Sequence, residues 1–292
     1  MTILVTAASG QLGRLVVDSL LARGAAPADV VASARDTSKL EQFAARGIRT
    51  VELDYARPET IAAALDGVDT VLLVSGSEPG NRAALHQNVI DAAKAAGVTK
   101  LVYTSVAGAA TADFVLAPDH KATEAAIAAS GVPAVIVRHN WYTENYAADV
   151  SRAASTGVIA ASTADGRVAS ATRADLAEGA AVVLLEDGHL GRTYEFGGDV
   201  AWNYDELAAA ASEIVGRAVT YTPLTTAEHV AALESAGLDA GTAGFVAAID
   251  DGIARGVLSE TDGTLSRLLG RPTTSLVDGL RAVVAVEDDA AA

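Results

Sequence analysis

The residues in this chain that can do chemistry stand at a few well-spaced points. Between a short apolar run and an amphipathic stretch lies Ala7-Ala8-Ser9-Gly10-Gln11-Leu12-Gly13. Glycines three apart at the mouth of a helix leave backbone N–H groups bare and let a phosphate come close. A dinucleotide pyrophosphate is held in this way. The full pattern has glycine at its first position, and here that position is Ala7. An alanine there costs about 1 kcal/mol relative to glycine if its φ is positive, and nothing if its φ is negative. A second point is the end of the run Val30–Ala34, which continues into Arg35-Asp36. In a dinucleotide fold this end faces the adenosine ribose. An acid there bonds a free 2′-hydroxyl, whereas an arginine accommodates a 2′-phosphate. Arg35, with Lys39 a turn later, favours NADP(H); Asp36 is the rival, as an acceptor for a ribose.

A proton donor is harder to find. Reduction of a simple ketone calls for an acid such as a tyrosine with a lysine four residues on. The chain has seven tyrosines, and the residues four after Tyr55, Tyr103, Tyr142, Tyr146, Tyr194, Tyr204 and Tyr221 include no lysine. The corresponding helix offers His120-Lys-Ala-Thr-Glu124 instead. No catalytic residue is assigned from the sequence. A quinone needs less help, because hydride addition gives a phenolate-like oxygen whose conjugate acid has a pKa of about 10. The missing pair fits hydride transfer to an electron-poor conjugated acceptor, and it fits no catalysis equally well. His120 and Glu124 read as a solvent-facing pair, and His86, His189 and His229 as structural. With no second histidine pair, no metal site is expected.

These residues need a frame. Apolar runs Ile3–Thr6, Val30–Ala34, Thr50–Leu53, Thr70–Ser75, Lys100–Ser105 and Ala134–Arg138 alternate with helical patterns at Leu12–Ala22, Ser38–Ala45, Glu59–Leu65, Arg82–Ala96 and His120–Ala129. Repeated β-α-β at this spacing predicts an α/β fold: a Rossmann-type, doubly wound parallel sheet with strand order 3-2-1-4-5-6. After Arg138 the pattern changes. Short runs Val158–Ala161 and Val168–Ala171 flank a turn signal, Thr163-Ala-Asp-Gly166. A helix at about 174–185, a strand at Thr193–Phe196 and helices near 204–215, 227–235, 244–254 and 275–284 follow. The expected organisation is a dinucleotide-binding domain over 1–138. A smaller, mostly helical C-terminal lobe over 139–292 would bind substrate, with one or two elements returning to the sheet.

Composition narrows the class. Half of the residues are hydrophobic but only 4% are aromatic, so aliphatic side chains build the core, as suits buried parallel strands. Net charge is −16, from 21 basic and 37 acidic residues, a field that repels nucleic-acid phosphates. No basic patch offsets it, so no nucleic-acid partner is expected. The lack of cysteine excludes disulfides, thiol catalysis and thiolate metal sites, and fits a reducing cytoplasm. No run reaches the roughly 18 apolar residues of a membrane span. The amino end has no basic segment leading into an apolar run. A cytoplasmic protein off the membrane, monomeric or homodimeric, is the expectation.

Taken together, the motifs carry a resemblance. Ser9-Gly-Gln-Leu-Gly13, Asp54-Tyr55, Asn88–Val98, Tyr103-Thr-Ser105, Asn140-Trp-Tyr-Thr-Glu-Asn-Tyr146, Ala169-Ser-Ala-Thr-Arg-Ala-Asp175 and Gly270-Arg-Pro-Thr-Thr274 resemble the atypical short-chain dehydrogenases of the NmrA-like group. Within it the chain looks most like the type-2 NAD(P)H:quinone oxidoreductases, with triphenylmethane reductase a near relative. The resemblance implies NADP(H) against Ala7–Gly13, Arg35 and the end of the fourth strand, Ser75, Gly76 and Ser77. It also implies the nicotinamide along His139, Asn140, Trp141, Tyr142, Thr143 and Glu144, with Ser170 nearby. The activity implied is two-electron reduction of a small quinone-like molecule. The same group includes non-catalytic, NADP-binding redox sensors that act through a protein partner, and the missing Tyr-Lys pair does not separate the two. Ala7, and His139-Asn140 where the quinone reductases tend to have Asn-Gly, depart from the family pattern.

Overall fold

The computed structural model describes residues 1–76 and 80–291, with 285–291 as backbone only. Six strands alternate with helices along the first half of the chain: β1 (Ile3–Val5), α1 (Gln11–Ala22), β2 (Val30–Ala34), α2 (Glu41–Ala44), β3 (Arg49–Glu52), α3 (Pro58–Ala64), β4 (Thr70–Leu73), α4 (Arg82–Ala95), β5 (Lys100–Val106), α5 (Ala117–Ser130) and β6 (Ala134–His139). All pairs in the main sheet are parallel, in the order β3-β2-β1-β4-β5-β6-β8, where β8 is Thr193–Phe196. The expected order is therefore present, with β8 added outside β6. Every position of β1, β2, β4 and β5 is buried, because helices cover both faces of a parallel sheet. The edge strands β3 and β8 are the more polar and exposed ones.

Register places the core. Leu4 pairs with Val31 and Val71, and Val71 with Leu101, so the four make one row across the sheet. That row is buried with Ile61 of α3, Val89 and Ile90 of α4 and Ile127 of α5. Each such side chain contributes about 1.5–3 kcal/mol on burial. The row fixes where each strand ends, and hence where the loops at the carboxyl ends begin.

The chain divides into two compact units. The first comprises residues 1–109, 118–139 and 173–196, and so includes α7 (Arg173–Leu185) and β8. The second comprises 110–117, 140–172 and 197–292. It holds α6 (Ala147–Thr156), β7 (Val158–Ala161), α8 (Tyr204–Val215), β9 (Thr220–Pro223), α9 (Thr226–Ser235), α10 (Ala240–Ala254), α11 (Thr264–Leu269) and α12 (Leu276–Ala291).

Val158–Ala161 and Val168–Ala171 do not pair with each other. The turn between them forms, with Gly166 N–H donating to Thr163 O at 2.9 Å. A side chain at Gly166 would meet Ile253 O at 2.3 Å. But β7 pairs in parallel with β9, while Val168 bridges Trp202 and Ala171 bridges Tyr142. The partner strand β9 is mostly exposed and has no apolar run to announce it. Helices α6 and α11, the latter only six residues long, are present beyond those expected from sequence.

Candidate functional site

The glycine turn begins where β1 ends. Ala8 N–H donates to Ser33 O at 2.8 Å, which ties the turn to β2. Gly10 N–H closes it on Ala7 O at 2.9 Å, and Arg14 N–H starts α1 on Gly10 O at 3.2 Å. Gly10 caps α1 in an extended conformation with no side-chain cap, and the first turn of α1 carries no acid. No carboxylate of the helix's own first turn therefore competes for its orphan amides, as an anion requires. A Cβ on Gly13 would sit 2.3 Å from Ala7 O, so only glycine lets the helix lie this close to the turn. Ala7 has φ of +50°. Of the two cases open from sequence the costly one holds, and the turn carries about 1 kcal/mol of backbone strain.

A cavity of about 520 Å3 opens beside this turn, and Ala7, Ser9, Gly10, Arg35, Ser75 and Gly76 are on its wall. Of the other expected contacts, Gln11 is exposed at the start of α1, whereas Ala8 and Leu12 are buried in the core. Ser77 lies outside the described residues. Arg35 is exposed at the end of β2. Its neighbour Asp36 uses Oδ1 to accept from Ser38 N–H (3.0 Å) and Ser38 Oγ (2.7 Å), capping the short helical turn Thr37–Leu40. Those bonds hold the Asp36 carboxyl below its ordinary pKa. Tyr55 also lines the cavity; its hydroxyl donates to Val74 O at 2.8 Å and meets Thr6 Oγ1 at 2.5 Å. In the sequence only the Asp54-Tyr55 motif hinted at it.

At the carboxyl ends of β5, β6 and β8 the side chains are bonded to one another. Arg138 grips both oxygens of Glu124, at 2.9 and 2.7 Å, and reaches Glu195 at 2.9 Å. Ser105 Oγ donates to Glu124 at 2.6 Å, and Gly108 N–H to Glu195 at 3.3 Å. His120 is buried, with its Nδ1 2.9 Å from the Tyr103 hydroxyl. The solvent-facing His120–Glu124 pair expected from sequence is thus absent: each residue turns inward to a different partner. Burial pushes the His120 pKa down to about 3 and that of Tyr103 up to about 12. Tyr146, Tyr204 and Tyr221 are also pushed up by burial. None of these four tyrosines is tuned to give up a proton.

The histidines read as structural also have partners. His86 meets Gly76 N–H and Thr123, His189 meets Tyr194 at 2.8 Å, and His229 pairs with Asp250 at 2.9 Å.

Of the remaining expected contacts, His139 ends β6 in the first unit, buried and stacked on Phe196. Asn140, Trp141, Tyr142, Thr143, Glu144 and Ser170 belong to the second unit. There Thr143 N–H donates to Ala171 O at 3.1 Å, and its hydroxyl meets Ser170 Oγ at 2.9 Å. Ser170 also accepts from Trp202 Nε1 at 2.9 Å. Asn140 is an anchor, with Nδ2 donating to Leu258 O and Oδ1 accepting from Trp141 N–H. Ser170 and Trp202 line a second cavity of about 500 Å3, with Val200, Ala210, Leu276 and Val277 among its apolar walls. Among the described residues no group of three His, Cys, Asp or Glu is placed to hold a metal. No described helix is long and apolar enough to cross a membrane.

A model of NAD(P)H-binding proteins matches residues 7–187. Quinone oxidoreductase 2 of Escherichia coli (strain K12) is 44% identical over 95% of this chain and 97% of its own length. The NADPH-dependent quinone oxidoreductase of Escherichia coli complexed with NADPH superposes with a TM-score of 0.93 at 42% identity, covering 97% of this chain and 99% of that one. Triphenylmethane reductase of Citrobacter sp. complexed with NADP(H) gives 0.91 at 35% identity, covering 97% and 100%. The chain belongs to the NAD(P)H-binding family and, within it, to the NmrA-like short-chain dehydrogenases.

Proposed function

We propose that this protein is an NADPH-dependent oxidoreductase that transfers two electrons, as hydride, to quinones or similar conjugated acceptors. One observation carries the reading. A bare helix N-terminus and an arginine at the end of β2 share one cavity, in a chain whose similar enzymes reduce quinones with NADPH.

Ala7–Gly13 would hold the pyrophosphate through backbone N–H groups. Gly10 and Gly13 keep side chains out of its way. Arg35 would meet the 2′-phosphate; Asp36, engaged by Ser38, is the weaker candidate for a ribose. Ser75 and Gly76 are on the wall of the same cavity and face the same nucleotide in this reading. His139, Asn140, Trp141, Tyr142, Thr143, Glu144 and Ser170 attend the nicotinamide. NADPH, when bound, supplies the hydride. The second unit is the acceptor-binding lobe, and its apolar cavity beside Trp202 is the proposed seat for a flat, neutral ring. Burial makes Tyr103, Tyr146, Tyr204 and Tyr221 weaker acids than a free phenol, so none of these four is poised as the acid for an alkoxide. A phenolate-like product, with a conjugate-acid pKa of about 10, takes its proton from water. A cytoplasmic site of action is part of this reading, since a chain without cysteine suits a reducing compartment.

The test is nucleotide binding in wild type and Arg35→Ala, followed by fluorescence titration. NADPH binds more tightly than NADH, and Arg35→Ala weakens NADPH about tenfold or more while leaving NADH within about twofold. Equal loss for both nucleotides removes Arg35 from the phosphate.

A further inference from the structure

Three consecutive backbone N–H groups past the end of β4 go to side chains. Val74 N–H donates to Thr6 Oγ1 at 2.9 Å, Ser75 N–H to Thr104 Oγ1 at 2.9 Å, and Gly76 N–H to His86 Nε2 at 3.1 Å. The strand ladder has ended here, and these side-chain acceptors take its place in setting the path of the segment. Gly76 is the last of the three and lies on the wall of the nucleotide cavity. Its carbonyl is held as well, accepting from Arg82 Nε at 2.7 Å. Both supports come from α4, one turn apart on the helix.

The His86 ring is fully buried, edge-on to Tyr55 at 5.9 Å and to Tyr103 at 5.4 Å. Its tautomer follows from its partners. The Thr123 hydroxyl donates to Asp119 O at 2.9 Å, so toward His86 it accepts, and Nδ1 at 3.0 Å carries the hydrogen. Nε2 then presents a lone pair to Gly76 N–H. Burial together with the nearby Arg82 charge lowers the His86 pKa to about 4, which keeps that lone pair available at neutral pH.

We infer that His86 is a positioning residue for the cofactor: fixed in one tautomer by Thr123, it sets the backbone of Gly76 against the part of the dinucleotide that NADH and NADPH share. The inference rests on the reading of this cavity as the NADPH site. It makes His86 act through Gly76, with no contact of its own to the nucleotide.

Two substitutions separate positioning from packing. His86→Phe keeps a ring of similar size and removes the acceptor. His86→Gln keeps an acceptor near the place of Nε2. Dissociation constants for NADPH and NADH are measured by fluorescence, with the melting temperature as a check on folding. His86→Phe weakens both nucleotides by the same factor, about tenfold, and His86→Gln restores binding to within about threefold of wild type. Thr123→Val, which leaves the His86 ring in place but frees its tautomer, weakens both by a smaller common factor. It carries the test if His86→Phe does not fold. Phe and Gln variants that bind alike, or a Thr123→Val variant that binds as wild type does, overturn the inference. Wild-type protein that binds neither nucleotide overturns the reading of the cavity, and this inference with it.

Discussion

At the amino end of α1 the groups suited to meet a ligand are backbone amides that no described side chain caps. At the carboxyl ends of β5 and β6 the side chains best suited to chemistry are bonded to each other. Gly10 makes no side-chain cap, and Gly13 has no room for a side chain. By contrast, Glu124, Arg138, Glu195 and Ser105 form a closed set of charge-assisted bonds, and His120 is turned onto Tyr103. In the proposed function the first region binds because it is left unsatisfied. The second is satisfied already, and so it orders the strand ends and offers no free acid. That contrast is the physical case for a nucleotide enzyme whose acceptor brings its own electrophilicity.

The contrast breaks most severely at Gly13. Gly13→Ala places a methyl group 2.3 Å from Ala7 O, against backbone that cannot step aside. It should lower NADPH affinity by a hundredfold or more and lower the melting temperature, the strain being on the order of 1–3 kcal/mol. Binding within threefold of wild type would mean that the turn is not the pyrophosphate site.

A second effect is spread over the first unit. Burial lowers the pKa of His86 from 6.5 to about 4, and those of His120 and His139 from 6.5 to about 3. Between these values the unfolded chain binds more protons than the folded one. Stability is therefore full above about pH 6.5 and is lost as the pH falls toward 4. Urea midpoints should drop between pH 6.5 and 5, a window above most carboxylate titration, and His86→Gln should flatten part of the slope. A midpoint constant over that window would show that these rings are not neutral and buried in solution.

The smallest effect is at Ala7. With φ of +50°, Ala7→Gly should relieve strain and raise stability by about 1 kcal/mol, leaving NADPH affinity within a few-fold. A loss of stability would indicate negative φ at this position in solution.

How much of this could be read in the sequence followed from what each signal encodes. The sheet order was legible because its central strands are buried on both faces and so read as unbroken apolar runs, as Val30–Ala34 and Lys100–Val106 do. The cradle was legible because a close backbone approach leaves a glycine behind, as at Gly13. The sign of φ at Ala7 was not, since it depends on how β1 hands the chain to α1. His86 reads as structural from sequence, and its particular bonds could not be foreseen, because its partners are a main-chain N–H and a threonine far along the chain and neither leaves a spacing. His120 and Glu124 sit one helical turn apart in sequence, but their separate partners are set by the strands beneath α5. In the second unit β9 has no apolar run, so the pairing with β7 could not be foreseen.

The most direct test of the central claim is steady-state turnover at saturating NADPH across a series of quinones of rising reduction potential, with a simple ketone and a simple aldehyde as controls, in wild type and His120→Ala. The account predicts that kcat/KM climbs with reduction potential and that the ketone and aldehyde stay inert. It also predicts that His120→Ala loses less than the roughly hundredfold expected on removing an essential general acid. A thousandfold loss in His120→Ala with its fold and NADPH affinity intact, ready reduction of the ketone, or tight NADPH binding with no turnover of any acceptor would contradict it.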